Sequence, residues 1–342
     1  MTASIGRDST EVMVAALWAR TLGQPPASLD ESFFSAGTSL AAARFVGALR
    51  AATGREVPLH VVFDRPTVRG VGSWLREDAD RDAGSGASRP AVLTLRSTGA
   101  GAPLLLLPGG GGSLVGLGAF ADDRFDRPVH GLIAPGLAAG EQPPSSIEQL
   151  SAHFAECIDR ARIATPVHLL GYCGGGVFAH HLASTLTAAG RQVLSVTMVE
   201  TSLAAPDLSA DEIIAERLTE LAAANGLTVD GPLTPHLVFE HLRGNGVDLL
   251  EADTDAFERR LRVFAALWRI IADYRPATTG VPTALFSTSE RLDDAPDDAT
   301  DWADLGLPEL RQVDVDAATS GITTHPPTLQ AVELWLTENE AR

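Results

Sequence analysis

Cysteine is scarce in this chain, with two residues in 342, Cys157 and Cys173. They form no CxxC pair, and no zinc or iron–sulfur site is expected. Basic residues are few as well. Lys and Arg number 26 against 44 Asp and Glu, a formal charge of -18. No Lys/Arg cluster stands out, so phosphate neutralisation on a nucleic acid is excluded. Long apolar runs are missing, which argues against a bilayer span. The N-terminus lacks the apolar stretch of a signal peptide. The expected setting is cytoplasmic and reducing, with neither membrane nor nucleic acid as partner.

Apolar residues make up 45% and aromatics 6%, ordinary values for a globular protein. Glycine and proline are plentiful at 32 and 21 residues, so loops should be frequent. The stretch EDADRDAGSGASRP at 77–90 has charge, Gly, Ser and Pro but no apolar periodicity. It is expected to be a flexible linker between a small piece, 8–76, and a large one, 91–342. No internal repeat is found.

The small piece has helical spacing. One helix starts near Ser9-Thr10 and carries Val12, Ala15 and Leu17 to Leu22. A second carries Leu40, Phe45, Leu49 and Ala52 and ends at Gly54. A short last helix is expected over 67–76, with Thr67 as its cap. The large piece alternates strands and helices. Strands are expected at Leu104–Leu107, Val129–Ile133, Val167–Leu170, Val193–Val199, Thr283–Ser287 and Leu310–Val315. Helices are expected at 146–162, 176–189 and 330–336. This implies a mostly parallel sheet covered on both faces. Residues 207–274 interrupt the alternation with helical sequence and are expected to form a lid over the carboxyl edge of the sheet.

One stretch concentrates chemistry. Gly171-Tyr172-Cys173-Gly174-Gly175 follows an apolar strand and precedes a helix. A nucleophile at such a junction occupies a strained backbone position, and small neighbours let strand and helix approach. The helix N-terminus favours a thiolate and an oxyanion. Two distant features support Cys173 as nucleophile over an inert packing cysteine. The loop PGGGGS, Pro108–Ser113, can supply a backbone N–H, and it lacks the Gly-Lys-[Ser/Thr] of a phosphate loop. His325, in SGITTHPP, falls between the last strand and the last helix, where the order nucleophile–acid–histidine requires the base. For the acid, Glu200 at the end of SVTMVE competes with Glu290, Asp293 and Asp294 after ALFSTSE. Cys157 and the remaining histidines suggest packing. Trp268 and Tyr274 suggest core or pocket wall.

Residues 91–342 resemble the thioesterase domains of nonribosomal peptide and polyketide synthases, which are α/β-hydrolases. The resemblance is carried by LLLLPGGGGS, VHGLIAPGL, SSIEQLSAHF, VHLLGYCGGG, the strand ending in Glu200, and GITTHPP. Residues 8–76 resemble a peptidyl carrier domain through DESFF, AGTSLAAARFVGALR and VPLHVVFDRPTVRGVGSWL. The resemblance implies an α/β-hydrolase with a helical lid at 207–274, preceded by a small all-α carrier bundle. It implies 4'-phosphopantetheine on Ser39, added by a phosphopantetheinyl transferase. It places the acyl-accepting nucleophile at Cys173, the base at His325, the acid at Glu200, and oxyanion donors at the N–H groups of Gly174 and Gly110. It implies upstream synthetase modules and a carrier-bound acyl or peptidyl chain as partners. The expected activity is release of that chain through acyl-S-Cys173 by intramolecular cyclisation. Hydrolysis to a linear acid, or a non-catalytic or editing role, is the alternative. The chain departs from the family pattern in having Cys for Ser, Glu for Asp, and a shorter carrier motif, FFSAGTSL.

Overall fold

In the computed structural model the described residues are 9–55, 57, 60–83, 91–114, 116–122, 124–205, 207–229, 231–245, 253–288 and 302–341. The N-terminal part is a helical bundle of α1 (Ser9–Leu22), α2 (Ser39–Thr53), α3 (His60–Asp64) and α4 (Val68–Ala83). Its centre is aromatic. Phe33 stacks on Phe45 at 5.0 Å, and Trp18 meets Phe33 edge-on at 4.9 Å. Thr38 caps α2 by accepting from the Ala41 N–H at 3.3 Å, and Gly54 ends it in the left-handed region. Two expectations need correction. The pentapeptide helix α3 has no counterpart in the sequence reading. Helix α4 continues to Ala83, inside the stretch 77–90 expected to be a linker. Extending a nucleated helix costs little, and Glu, Arg and Ala favour it enough to carry the weaker Asp78, Asp80 and Asp82 without an apolar face. Residues 84–90 lie outside the described residues.

The large part is a seven-stranded sheet of β1 (Val92–Arg96), β2 (Leu104–Leu107), β3 (Val129–Leu132), β4 (Val167–Tyr172), β5 (Val193–Val199), β6 (Thr283–Thr288) and β7 (Leu310–Val315), in the order β1-β3-β2-β4-β5-β6-β7. Only the β1–β3 pair is antiparallel. Leu104–Leu107 is therefore the second strand of the sheet, not the first. β1 escapes the sequence reading because it is only five residues long, ends in Arg96 and sits beside polar, Gly-rich flanks.

Successive strand residues point to opposite faces, and β2 divides accordingly. Leu105 and Leu107 join the core under α5 (Ile147–Arg160) and α6 (Gly174–Ala188). Leu104 and Leu106 join the core under α10 (Pro326–Glu340). The second core does not stop at the sheet. It runs on through Leu93, Leu95, Leu114, Leu117 and Phe120 into Val12, Leu17 and Trp18 of α1. The N-terminal bundle and the sheet thus share one apolar core.

Between β5 and β6 lie α7 (Ala210–Ala224), α8 (Pro235–Gly244) and α9 (Thr254–Asp273). Ser209 and Glu212 form a capping box at the start of α7. The three helices bury a small core of their own around Leu218, Phe239 and Phe257. The far half of α9 buries Val263, Leu267 and Ile271 in the core of α5 and α6. The helical insertion at 207–274 is thereby anchored to the sheet domain by one long helix.

Candidate active site

Cys173 stands between β4 and α6 with φ 54° and ψ -128°, a combination that costs a non-glycine residue of order 1–3 kcal/mol. The strain presents the side chain, which is exposed, at the N-terminus of a 15-residue helix. The backbone holds it there, because Cys173 N–H donates to Val199 O on β5 at 2.9 Å. Glycine makes the turn possible. A Cβ on Gly171 would lie 2.0 Å from the Gly175 carbonyl, and one on Gly176 would lie 2.0 Å from Thr201 Oγ1.

The glycine loop lies beside the start of α6. Gly110 N is 3.4 Å from the point where a Cβ on Gly174 would sit. The two N–H groups expected to hold an oxyanion therefore belong to neighbouring residues, although Gly110 and Gly174 are far apart in sequence. Helix α9 roofs this pair. A Cβ on Gly174 would lie 2.5 Å from Ile271 Cδ1, and one on Gly110 would lie 3.4 Å from the Trp268 indole nitrogen. That buried nitrogen has no hydrogen-bond partner among the described residues. Sequence reasoning assigned Trp268 to core or wall. Its helical spacing alone could not show that it stands on the glycine loop.

Glu200 ends β5, next to the strand that leads into Cys173. It too has a positive φ, 48°, and it is buried. Its Oε1 accepts from Thr288 N–H at 2.6 Å, and Thr288 Oγ1 meets Thr319 Oγ1 at 2.8 Å. Thr319 opens the 3-10 turn Thr319–Thr324 that leads to His325. Tyr172 reports on the same neighbourhood. Burial pushes its phenol above the ordinary range, and the charges of Cys173 and Glu200 push the same way. The rival acids Glu290, Asp293 and Asp294 lie outside the described residues.

His325 is half-buried and precedes the first turn of α10. Its loop reaches the elbow through Gly116, whose Cβ position is 3.7 Å from the Tyr172 ring and 3.9 Å from Thr323 Oγ1. The imidazole Nδ1 is 3.0 Å from Thr328 Oγ1, one turn into its own helix, rather than on the Glu200 carboxylate. The structure thus gathers Cys173, Glu200, Gly110, Gly174 and the histidine loop at one sheet edge. Nδ1 of His325 is engaged locally in this state. Thr288 and Thr328 escaped the sequence reading, because an isolated threonine carries no signal for either contact.

Ser39 is the first residue of α2. The cap of that helix is the preceding residue, Thr38. Among the described residues no three His, Cys, Asp or Glu side chains are placed to hold a metal, and no helix is long and apolar enough to cross a membrane.

Comparison with known proteins bears on the two parts of the chain. Residues 102–320 match the thioesterase domain family, and residues 14–75 match the phosphopantetheine attachment site. A dimodular nonribosomal peptide synthase of Bacillus subtilis (strain 168) is 26% identical over 337 residues, covering 95% of this chain and 14% of that protein. Indigoidine synthase of Dickeya dadantii (strain 3937) is 32% identical over 193 residues, covering 55% of this chain and 12% of that protein. The chain thus spans a small part of the length of either relative. Among solved structures, a holo four-domain nonribosomal peptide synthetase bound to AMP and glycine superposes with a TM-score of 0.78 at 22% identity, over 99% of this chain and 26% of that one. The NocB thioesterase domain, in covalent complex with a fluorophosphonate nocardicin G analogue, gives 0.51 at 20% identity, over 73% of this chain and 99% of that one. With an α/β-hydrolase sheet and a match over most of the sheet domain, the chain belongs to the thioesterase domain family of enzymes, joined to a phosphopantetheine attachment domain.

Proposed function

We propose that this chain releases a carrier-bound acyl or peptidyl chain from a nonribosomal peptide synthetase through a thioester on Cys173, with ring closure as the outcome. The observation that carries the proposal is the strained, exposed Cys173 at the start of α6, beside the neighbouring N–H groups of Gly174 and Gly110. Upstream synthetase modules would supply the chain, and a phosphopantetheinyl transferase would modify Ser39. The arm on Ser39, when attached, supplies the thiol that carries the chain as a thioester.

His325 takes the proton of the Cys173 thiol, and Sγ attacks the thioester carbon. The carbonyl oxygen becomes an oxyanion, stabilised by the two N–H groups and the dipole of α6. The carbon–sulfur bond to the leaving thiol breaks, and His325 returns a proton to that thiol. Glu200 holds His325 in the tautomer that serves Cys173, in a conformer turned away from Thr328. In the second half, His325 deprotonates a nucleophile on the chain itself, which attacks the Cys173 thioester carbon; the bond to Cys173 Sγ breaks, His325 returns the proton to that sulfur, and the ring closes. A serine would store the chain as an ester, which is less electrophilic. Cysteine keeps the carbonyl activated for a weak or strained internal nucleophile.

The test is single-turnover loading with intact mass spectrometry and chromatography of the products. Wild type should show an acyl adduct and a cyclic product. Cys173→Ala should lose release by about a thousandfold or more. Cys173→Ser should acylate but shift from cyclic towards linear product. Undiminished release by Cys173→Ala would reject the nucleophile. Equal product ratios for Cys173→Ser and wild type would reject cyclisation driven by the thioester.

A further inference from the structure

The glycine loop is held from three directions. It closes on itself, with Gly109 N–H to Ser113 O at 3.1 Å and Gly112 N–H to Gly109 O at 2.9 Å. Helix α9 holds its outer side, where Arg260 donates to Gly111 O at 3.4 Å. The third hold comes from the carrier bundle. At the exit of the loop, Leu114 N–H donates to Ser9 Oγ at 2.9 Å, a buried bond between residues 105 positions apart. Ser9 is the first residue of α1. Along the same helix Val12 stands on the next segment, where a Cβ on Gly118 would lie 3.3 Å from Val12 Cγ1. Towards the other end of α1, Arg20 donates to Leu95 O on β1 at 3.3 Å. The helix is thus fastened to the sheet domain along its length. The braced segment also touches the histidine loop, with the Gly116 Cβ position 3.9 Å from Thr323 Oγ1.

We propose that α1 of the carrier is a positioning element for the thioesterase. Through Ser9 and Val12 it holds the segment that follows Pro108–Ser113, and so keeps the Gly110 N–H aimed at the forming oxyanion. The role of Gly110 rests on the function proposed above. Leu114 N–H is buried, and a buried donor deprived of its acceptor is costly enough to make the segment rearrange. A displacement of about 1 Å at a catalytic donor can cost up to about a hundredfold in rate. The docked carrier therefore acts on chemistry as well as delivery. A chain whose carrier is undocked would react more slowly even with a thioester that needs no carrier.

The experiment uses the full chain without its prosthetic arm, and an acyl-N-acetylcysteamine thioester as soluble probe. Ser9→Ala should lower kcat about five- to tenfold with KM within about twofold. Alkylation of Cys173 by iodoacetamide should stay within about twofold, because thiolate attack on that reagent forms no oxyanion. Ser9→Thr, which keeps the acceptor, should recover kcat. Val12→Ala, which thins the contact on Gly118 without touching Leu114, should show the same split. Unchanged kcat in both Ser9→Ala and Val12→Ala would overturn the proposal. So would a fall in kcat matched by an equal fall in alkylation, or one that Ser9→Thr does not recover. Gly110→Pro, which deletes the N–H, separates the two proposals. If it leaves kcat intact, Gly110 is not a donor. If it lowers kcat while Ser9→Ala does not, only the brace fails.

Discussion

The contact between Gly174 and Ile271 offers a quantitative test of how the insertion roofs the site. A methyl placed on Gly174 would lie 2.5 Å from Ile271 Cδ1, whereas carbon atoms pack at about 3.5–4.0 Å. Roughly 1 to 1.5 Å must be gained. Ile271 is only 4% exposed, so it has no open space to enter. It can leave its rotamer well, at about 0.5–1.5 kcal/mol, or push α9 outwards, within the usual overpacking cost of about 1–3 kcal/mol. Because Cδ1 is the end of a flexible side chain, Gly174→Ala should cost about 1–2 kcal/mol. Ile271→Val removes the offending methyl and should cost about 0.5–1.5 kcal/mol alone. In that background Gly174→Ala should be neutral or slightly stabilising, since alanine is the better helix residue by about 0.5–1 kcal/mol. The coupling in a double-mutant cycle should be about 1–2 kcal/mol, measured by urea unfolding. Activity should follow. The new methyl lies 3.4 Å from Gly110 N, so acylation should slow in the single variant and recover partly in the double one. Additivity within about 0.5 kcal/mol would refute direct contact between α9 and the elbow.

Two further outcomes are expected. His180 is buried against Tyr274 and Trp302, its Nδ1 hydrogen-bonded with Tyr274 OH at 2.7 Å, and burial lowers its pKa from 6.5 to about 4. Burial and the Arg127 charge lower His168 to about 4 as well, against the opposing effect of Glu340. Between those values and 6.5 the unfolded chain binds the extra protons, so stability should fall as pH drops through that window, by at most roughly 1.4 kcal/mol per pH unit per histidine. The pH profile of the urea midpoint should be flatter for His180→Asn than for wild type, and parallel profiles would contradict the assignment. Separately, Glu200→Gln should lower kcat about tenfold to a hundredfold while keeping an acceptor for Thr288 N–H, whereas Thr328→Val should change it by less than about fivefold. The reverse order in steady-state assays would make Thr328 the group that orients His325.

What the sequence discloses about this site depends on how far the decisive contact lies along the chain. The elbow is legible because its requirements are local. A strand, small residues and a helix fall within Val167 to Ala188, and the strain at Cys173 follows from their junction. Glu200 and the histidine loop are legible as positions, because the carboxyl ends of parallel strands lie at one edge. What His325 touches is not legible. Thr328 on its own helix and Glu200 across the sheet are both compatible with the spacing, and side-chain torsion decides between them. The docking of α1 is less legible still. A serine opening a helix suggests a cap, and Val12 suggests bundle core. Nothing near Ser9 announces an acceptor for Leu114 N–H on the other side of the carrier boundary. The charged stretch beginning at 77 even points the other way, towards two bodies on a tether, while the structure gives one continuous apolar core. The residues proposed to accept the acyl group are thus specified locally, whereas those proposed to hold the oxyanion loop are specified by contacts more than a hundred positions apart. If α1 braces that loop as proposed, a substitution in the carrier helix changes the rate of a reaction whose proposed nucleophile lies in another domain.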